Sequence, residues 1–134
     1  MSNEYKDYIN DLRAQFDINT EELNFLPEGW VKSFVPHMKD ELFNALGSYA
    51  EDFYVVQAKE KWAALRMYWH WNDRKYCEHE WEDLNELTNV IQEIIYKYTD
   101  ISFETCMCCG ANASHHTRGY VIPVCNNCDP INVD

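Results

Sequence analysis

An α+β fold, with helices packed on a β-hairpin and a small cysteine-built element at the C-terminus, is predicted by three observations. Trp30, Phe34, Met38, Leu42 and Leu46 stand four residues apart, which makes one stripe of a helix. Leu65, Met67, Trp69 and Trp71 alternate with Arg66, Tyr68 and His70, and a period of two marks a strand with one buried face. Cys106-x-x-Cys109-Gly and Cys125-x-x-Cys128 are separated by 15 residues, the spacing of a zinc-ribbon-like element. The chain thus divides into an acidic helical and hairpin domain, residues 1–100, and a ribbon, residues 101–134.

Taken in order, Tyr5, Tyr8, Ile9, Leu12 and Phe16 recur at helical spacing, so residues 3–16 read as an amphipathic helix that Asp17-Ile-Asn-Thr breaks. Pro27-Glu-Gly-Trp30 is turn-like. Pro36 falls inside the Trp30–Leu46 stripe and either kinks it or opens a second helix in its first turn. Gly47 is a helix stop. Residues 53–60 are rich in strand formers and pair with 65–71 as a hairpin, although the connection lacks an Asn-Gly signal. Trp62 and Leu65 are expected to plug the core at its tip.

A long helix follows from Tyr76 to Tyr98, with Trp81, Leu84, Leu87, Ile91, Ile94, Ile95 and Tyr98 as its apolar set. At roughly 100° per residue, Glu82, Glu86 and Glu93 fall within about 80° of Glu78, and the apolar set centres near the opposite side. The helix therefore buries one face and presents a row of carboxylates, Glu78, Glu82, Glu86 and Glu93, as a candidate partner-binding surface.

Charge bounds the partners. The 134 residues carry a formal charge of −12, and 46% are hydrophobic, so a packed core is available. Residues 1–100 hold 20 acidic and 10 basic side chains, while 101–134 hold Glu104, Asp129 and Asp134 against Arg118. Such a surface disfavours nucleic acid and anionic membrane and favours a protein with a basic surface. No run of about 20 apolar residues occurs, so no span is expected. The opening MSNEYKDYIN has neither the basic nor the apolar region of a secretory signal. A cytoplasmic site follows as the expectation, and there clustered cysteines are metal ligands rather than disulfides.

Four thiolates at Cys106, Cys109, Cys125 and Cys128 satisfy one tetrahedral Zn²⁺. All four positions are then sulfur. Catalytic zinc keeps one position open, so this ion is read as structural. A segment of about 30 residues is too short to hold a fold by its core alone, and the metal supplies what the core lacks. Gly110 follows the first pair where a left-handed residue is required. Cys108 reads as a spectator thiol, His115 and His116 as exposed loop residues, and Cys77, beside His79, as a helix-start residue without a metal role.

Val55-Val-Gln-Ala-Lys-Glu-Lys-Trp-Ala-Ala-Leu-Arg-Met-Tyr68 resembles a V-x-Q-[VA]-K-E-K-F-G-G-L-R-F-Y run found in small, uncharacterised bacteriophage and prophage proteins. Gly29-Trp30 upstream and the cysteine pairs downstream match the order of parts in that family, over roughly residues 29–128. Here Trp62-Ala-Ala stands where the family has an aromatic and two glycines. The resemblance implies a phage origin and a zinc element, and no established activity.

Three function classes follow. The first is a non-catalytic accessory protein that binds and inhibits a host protein, such as a defence nuclease (an anti-CRISPR role) or a nucleic-acid-binding factor, with the carboxylate row as a DNA mimic. The alternative is a zinc-ribbon nucleic-acid binder or transcription modulator using His115, His116, Arg118 and Tyr120. An enzyme or a virion component comes last, since no motif fixes a nucleophile or base. Lys59, Lys61 and Arg66 read either as a small basic face or as solvent-side residues of the hairpin.

Overall fold

The computed structural model describes residues 3–72, 78–116 and 122–128, and within them the side chains of all but 3 and 78–81. It is an α+β arrangement in which, among the described residues, the first and last helices pack on a two-stranded hairpin, two shorter helices complete the core, and a cysteine-rich element follows.

Helix α1 spans Asn3–Asn19. Leu12 and Phe16 enter the core, whereas Tyr5 and Tyr8 overhang it and are exposed. The helix runs two residues past Asp17 because its end is tied down: Thr20 Oγ1 donates to Phe16 O at 2.8 Å and Asn19 Nδ2 to Glu51 O at 2.8 Å. A 3₁₀ turn, Glu21–Phe25, leads to α2, Glu28–Ser33, and α3, Val35–Leu46. The two helices part at Phe34, so Pro36 lies in the first turn of α3, where its missing N–H breaks no bond. All five residues of the predicted stripe are buried. Gly47, at φ +55°, ends α3 in the left-handed region.

A second 3₁₀ turn, Gly47–Asp52, opens into β1, Phe53–Lys61, which pairs antiparallel with β2, Ala64–Trp71. The register runs from Phe53 opposite Trp71 to Lys61 opposite Ala64, with a bulge between Val55 and Gln57. On the inner face Phe53, Val55 and Leu65 are buried, and the Phe53 and Trp69 rings lie 5.0 Å apart. Tyr54, Arg66, Tyr68 and His70 face out.

The connection corrects one expectation. Leu65 plugs the core, but Trp62 is 71% exposed, and the side chain fully buried at the turn is that of Ala63. Trp62 at φ +56° and Ala63 at φ +70° are both left-handed. This geometry matches the right-handed twist of the flanking strands, but it costs a non-glycine residue roughly 1–2 kcal/mol.

Helix α4, Glu78–Phe103, runs five residues beyond the expected end at Tyr98 and crosses the 100/101 boundary. Its predicted start at Tyr76 lies outside the described residues, as do Cys77 and the side chains of Glu78, His79 and Trp81. Leu84, Ile91, Ile95 and Tyr98 are buried against the hairpin and α3, and Glu82, Glu86 and Glu93 are exposed. The Phe34 and Tyr98 rings stack at 5.9 Å. Ser102 Oγ accepts the Leu65 N–H at 2.8 Å, which caps the outer edge of β2 with a helix side chain. Burial, followed by the neighbouring Glu41 carboxylate, pushes the Tyr98 hydroxyl up to about 12. Among the described residues, no helix is long and apolar enough to cross a membrane.

Candidate metal centre

Past α4 the backbone makes a tight knuckle. Gly110, at φ +84°, donates its N–H to Cys106 O at 3.0 Å, and Cys106 N–H goes to Ala111 O at 2.8 Å. The turn thereby folds its amides toward the Cys106 sulfur. The second knuckle closes with Cys128 N–H on Cys125 O at 3.1 Å. Two short strands bring the knuckles together: β3, His115–His116, pairs with β4, Pro123–Val124. Met107 N–H on Pro123 O and Ser114 N–H on Val124 O complete the join, at 3.0 and 2.9 Å. Ser114 Oγ also meets Asn126 Oδ1 at 3.0 Å, which ties β3 to the second knuckle.

The result is one cluster. The sulfurs of Cys106, Cys109, Cys125 and Cys128 all lie within 4.8 Å of one another, and the Cys109 and Cys125 sulfurs are 3.6 Å apart. A metal–sulfur bond of about 2.3 Å places tetrahedral ligands about 3.8 Å apart, so the four sulfurs fit one ion with a small inward movement. The described cysteines are free thiols, with Cys106 buried and Cys109 at the surface. Four sulfurs this close are compatible with binding one metal ion.

Local electrostatics prepare Cys106 for that role. Burial alone pushes its thiol up, but the backbone N–H groups of Cys109, Cys125 and Cys108 outweigh it and bring the thiol down to about 6. Hydrogen bonds to the Cys125 and Cys109 sulfurs push the Cys128 thiol up. A cation at the centre reverses that order, because it stabilises every thiolate at once.

The other sequence candidates fall outside the cluster. Cys108 is exposed and is not one of the four sulfurs that lie within 4.8 Å of one another, although partial burial and the Cys106 charge beside it push its thiol up. His115 and His116 are strand residues rather than loop residues. His115 Nδ1 is bonded to Ser114 Oγ at 2.9 Å. His116 Nε2 sits 2.8 Å from Phe103 O, its ring edge-on to Phe103 at 4.0 Å. Arg118 and Tyr120 lie outside the described residues. Cys108→Ser is therefore expected to keep the full metal content, as elemental analysis of the purified chain would read; loss of the metal would shift the ligand set onto Cys108.

Sequence reasoning missed Gly29. Its N–H donates to Met107 O at 2.7 Å, and a Cβ there would stand 2.2 Å from Cys106 O and 2.6 Å from Gly110 N. The fully buried Trp30 donates its indole N–H to Thr105 O at 3.0 Å. Helix α2 is thus seated directly on the first knuckle. The only signal of this in the sequence is the Gly29-Trp30 pair itself, in a segment that reads as turn-like and that the structure makes helical.

Compared with protein-family models, curated proteins and solved structures, the chain matches none.

Proposed function

We propose that the chain is a non-catalytic accessory protein, built on one structural Zn²⁺, that binds a host protein through acidic surface. The observation that carries this reading is the all-thiolate cluster. Four sulfurs fill the tetrahedral positions, so a bound ion has no site for water or substrate. The donor set suits zinc among the common divalent ions. The ion's role is then mechanical: it fixes the seat on which Gly29 and Trp30 rest.

The acidic surface is the exposed side of α4. Glu82 and Glu86 are one turn apart, and Glu93 extends the line. Like charges at i,i+4 cost about 0.2–0.5 kcal/mol per pair, a small penalty that a basic partner would reverse. Duplex DNA carries one charge per about 1.7 Å. The helix row is sparser, which suits a cleft lined by a few cations. A nucleic-acid-binding host factor or a defence nuclease is a partner of that chemistry, and a phage origin agrees with the resemblance in residues 55–68. The alternative, a ribbon that itself reads nucleic acid, is weakened because His115 and His116 are committed to Ser114 and Phe103.

The test is affinity capture by the zinc-loaded chain, with Glu82→Lys/Glu86→Lys/Glu93→Lys as the comparison and duplex DNA as competitor. Capture of a basic protein that the triple variant loses and DNA displaces is expected. Equal capture by both chains would overturn the acidic-face reading.

A further inference from the structure

Trp62 is where the fold departs furthest from what its residue type favours. An indole at φ +56° is a steric outlier, and at 71% exposure no packing repays it. The turn is held by its neighbours: Ala63 is fully buried, and its N–H donates to Glu60 Oε2 at 2.9 Å. Strain of this kind, maintained by the surroundings, collects at functional positions.

The face behind the tip is of one chemical kind. Lys59 stands opposite Arg66, and Lys61 closes the strand beside the turn. Like charges placed opposite each other destabilise a sheet. None of these three cations has an ion pair among the described residues. The next rungs are Gln57 opposite Tyr68 and Tyr54 opposite His70, the last two rings stacked at 5.3 Å. Tyr54 and Tyr68 are about half exposed. Residues on one strand face repeat every ~6.8 Å, a step that an extended sugar–phosphate chain can follow.

We propose that the tip and outer face of the hairpin bind single-stranded nucleic acid, with Trp62 and Tyr68 stacking bases and Lys59, Lys61 and Arg66 holding phosphates. Exposed rings alternating with cations are the composition of a single-strand platform. An acidic peptide would satisfy the cations but leave the Trp62 indole without a role. The net charge of −12 slows approach, but at physiological salt fields die over about 8 Å, and at the tip the three cations outnumber the one Glu60 carboxylate that the Ala63 N–H engages. The inference is independent of the reading of α4.

The test uses the full metal-loaded chain and a fluorescein-labelled oligothymidine, read by anisotropy and by quenching of tryptophan emission. A duplex of equal length and a polyglutamate peptide are the comparison ligands. The single strand is expected to bind, with log K falling against log salt at a slope of about −2 for three phosphates. Trp62→Asn/Ala63→Gly installs the favoured turn sequence, so it should raise the melting temperature while weakening binding about tenfold or more. Arg66→Glu, an exposed change, should weaken binding and flatten the salt slope. No single-strand binding at low salt overturns the proposal. So does binding that the Trp62 variant leaves intact, or polyglutamate binding as tight as the oligonucleotide, which would make the face a site for acidic protein. Equal affinity for duplex would mean charge alone, and would overturn it too.

Discussion

Replacing Cys106 by serine is expected to empty the metal centre and to loosen the helical half with it. Cys106 is the buried one of the four clustered cysteines, and three backbone N–H groups already favour its thiolate. A hydroxyl in its place neither ionises near neutral pH nor matches a soft donor set. A structural zinc of the kind proposed contributes on the order of 10–16 kcal/mol of apparent binding energy. A β3–β4 pair of two residues on each strand cannot hold the knuckles without it. Judged from the sequence alone, the damage would stop at the ribbon. The structure extends it, because Met107 O and Thr105 O are the acceptors for Gly29 N–H and the Trp30 indole. The expected result is loss of stoichiometric metal together with a red-shifted tryptophan emission and a lower melting temperature for the whole chain. Cys128→Ser should release the metal as well, but with less effect on Trp30, since the α2 contacts seen among the described residues are with the first knuckle. Native metal content in Cys106→Ser would remove that cysteine from the ligand set.

What could be read from the sequence was local and periodic. The Trp30–Leu46 stripe needed only a spacing of four. Leu65, Met67, Trp69 and Trp71 needed only a spacing of two. The four-cysteine cluster needed only two Cys-x-x-Cys pairs, because a knuckle is a local turn. The misses share a different origin. Trp62 looked like a core plug because large apolar residues usually are; the two-residue loop forced it outward, and no spacing rule encodes that. In the α4 row, Glu82, Glu86 and Glu93 were right in direction, because the face opposite a buried stripe is exposed by geometry. Its extent to Phe103 was missed because Ser102 Oγ and Thr99 Oγ1 meet the backbone of Leu65, a partner more than 30 residues away. The contact that Gly29 makes was invisible for the same reason. Its neighbour is backbone about 80 residues downstream, and a close approach between two backbones leaves no pattern in either segment.

That close approach makes Gly29→Ala the second large expected effect. The added methyl would meet Cys106 O at 2.2 Å, Gly110 N at 2.6 Å and Met107 C at 2.7 Å. All three atoms are backbone, so no side-chain rotation relieves the overlap. Helix α2 must move away from the knuckle, and the 2.7 Å bond from Gly29 N–H to Met107 O goes with it. Overpacking of this kind costs about 1–3 kcal/mol, and more where the neighbours cannot shift. A buried hydrogen-bonding group left unpaired adds about 1–3 kcal/mol. Alanine is otherwise the better helix former by about 1 kcal/mol, so a helix that did not touch the knuckle would gain stability. The two accounts therefore differ in sign. Denaturant unfolding of Gly29→Ala should show a loss of several kcal/mol and faster transfer of the metal to a chelator. A more stable protein with unchanged metal retention would mean that the ribbon is tethered to the helical domain rather than seated on it.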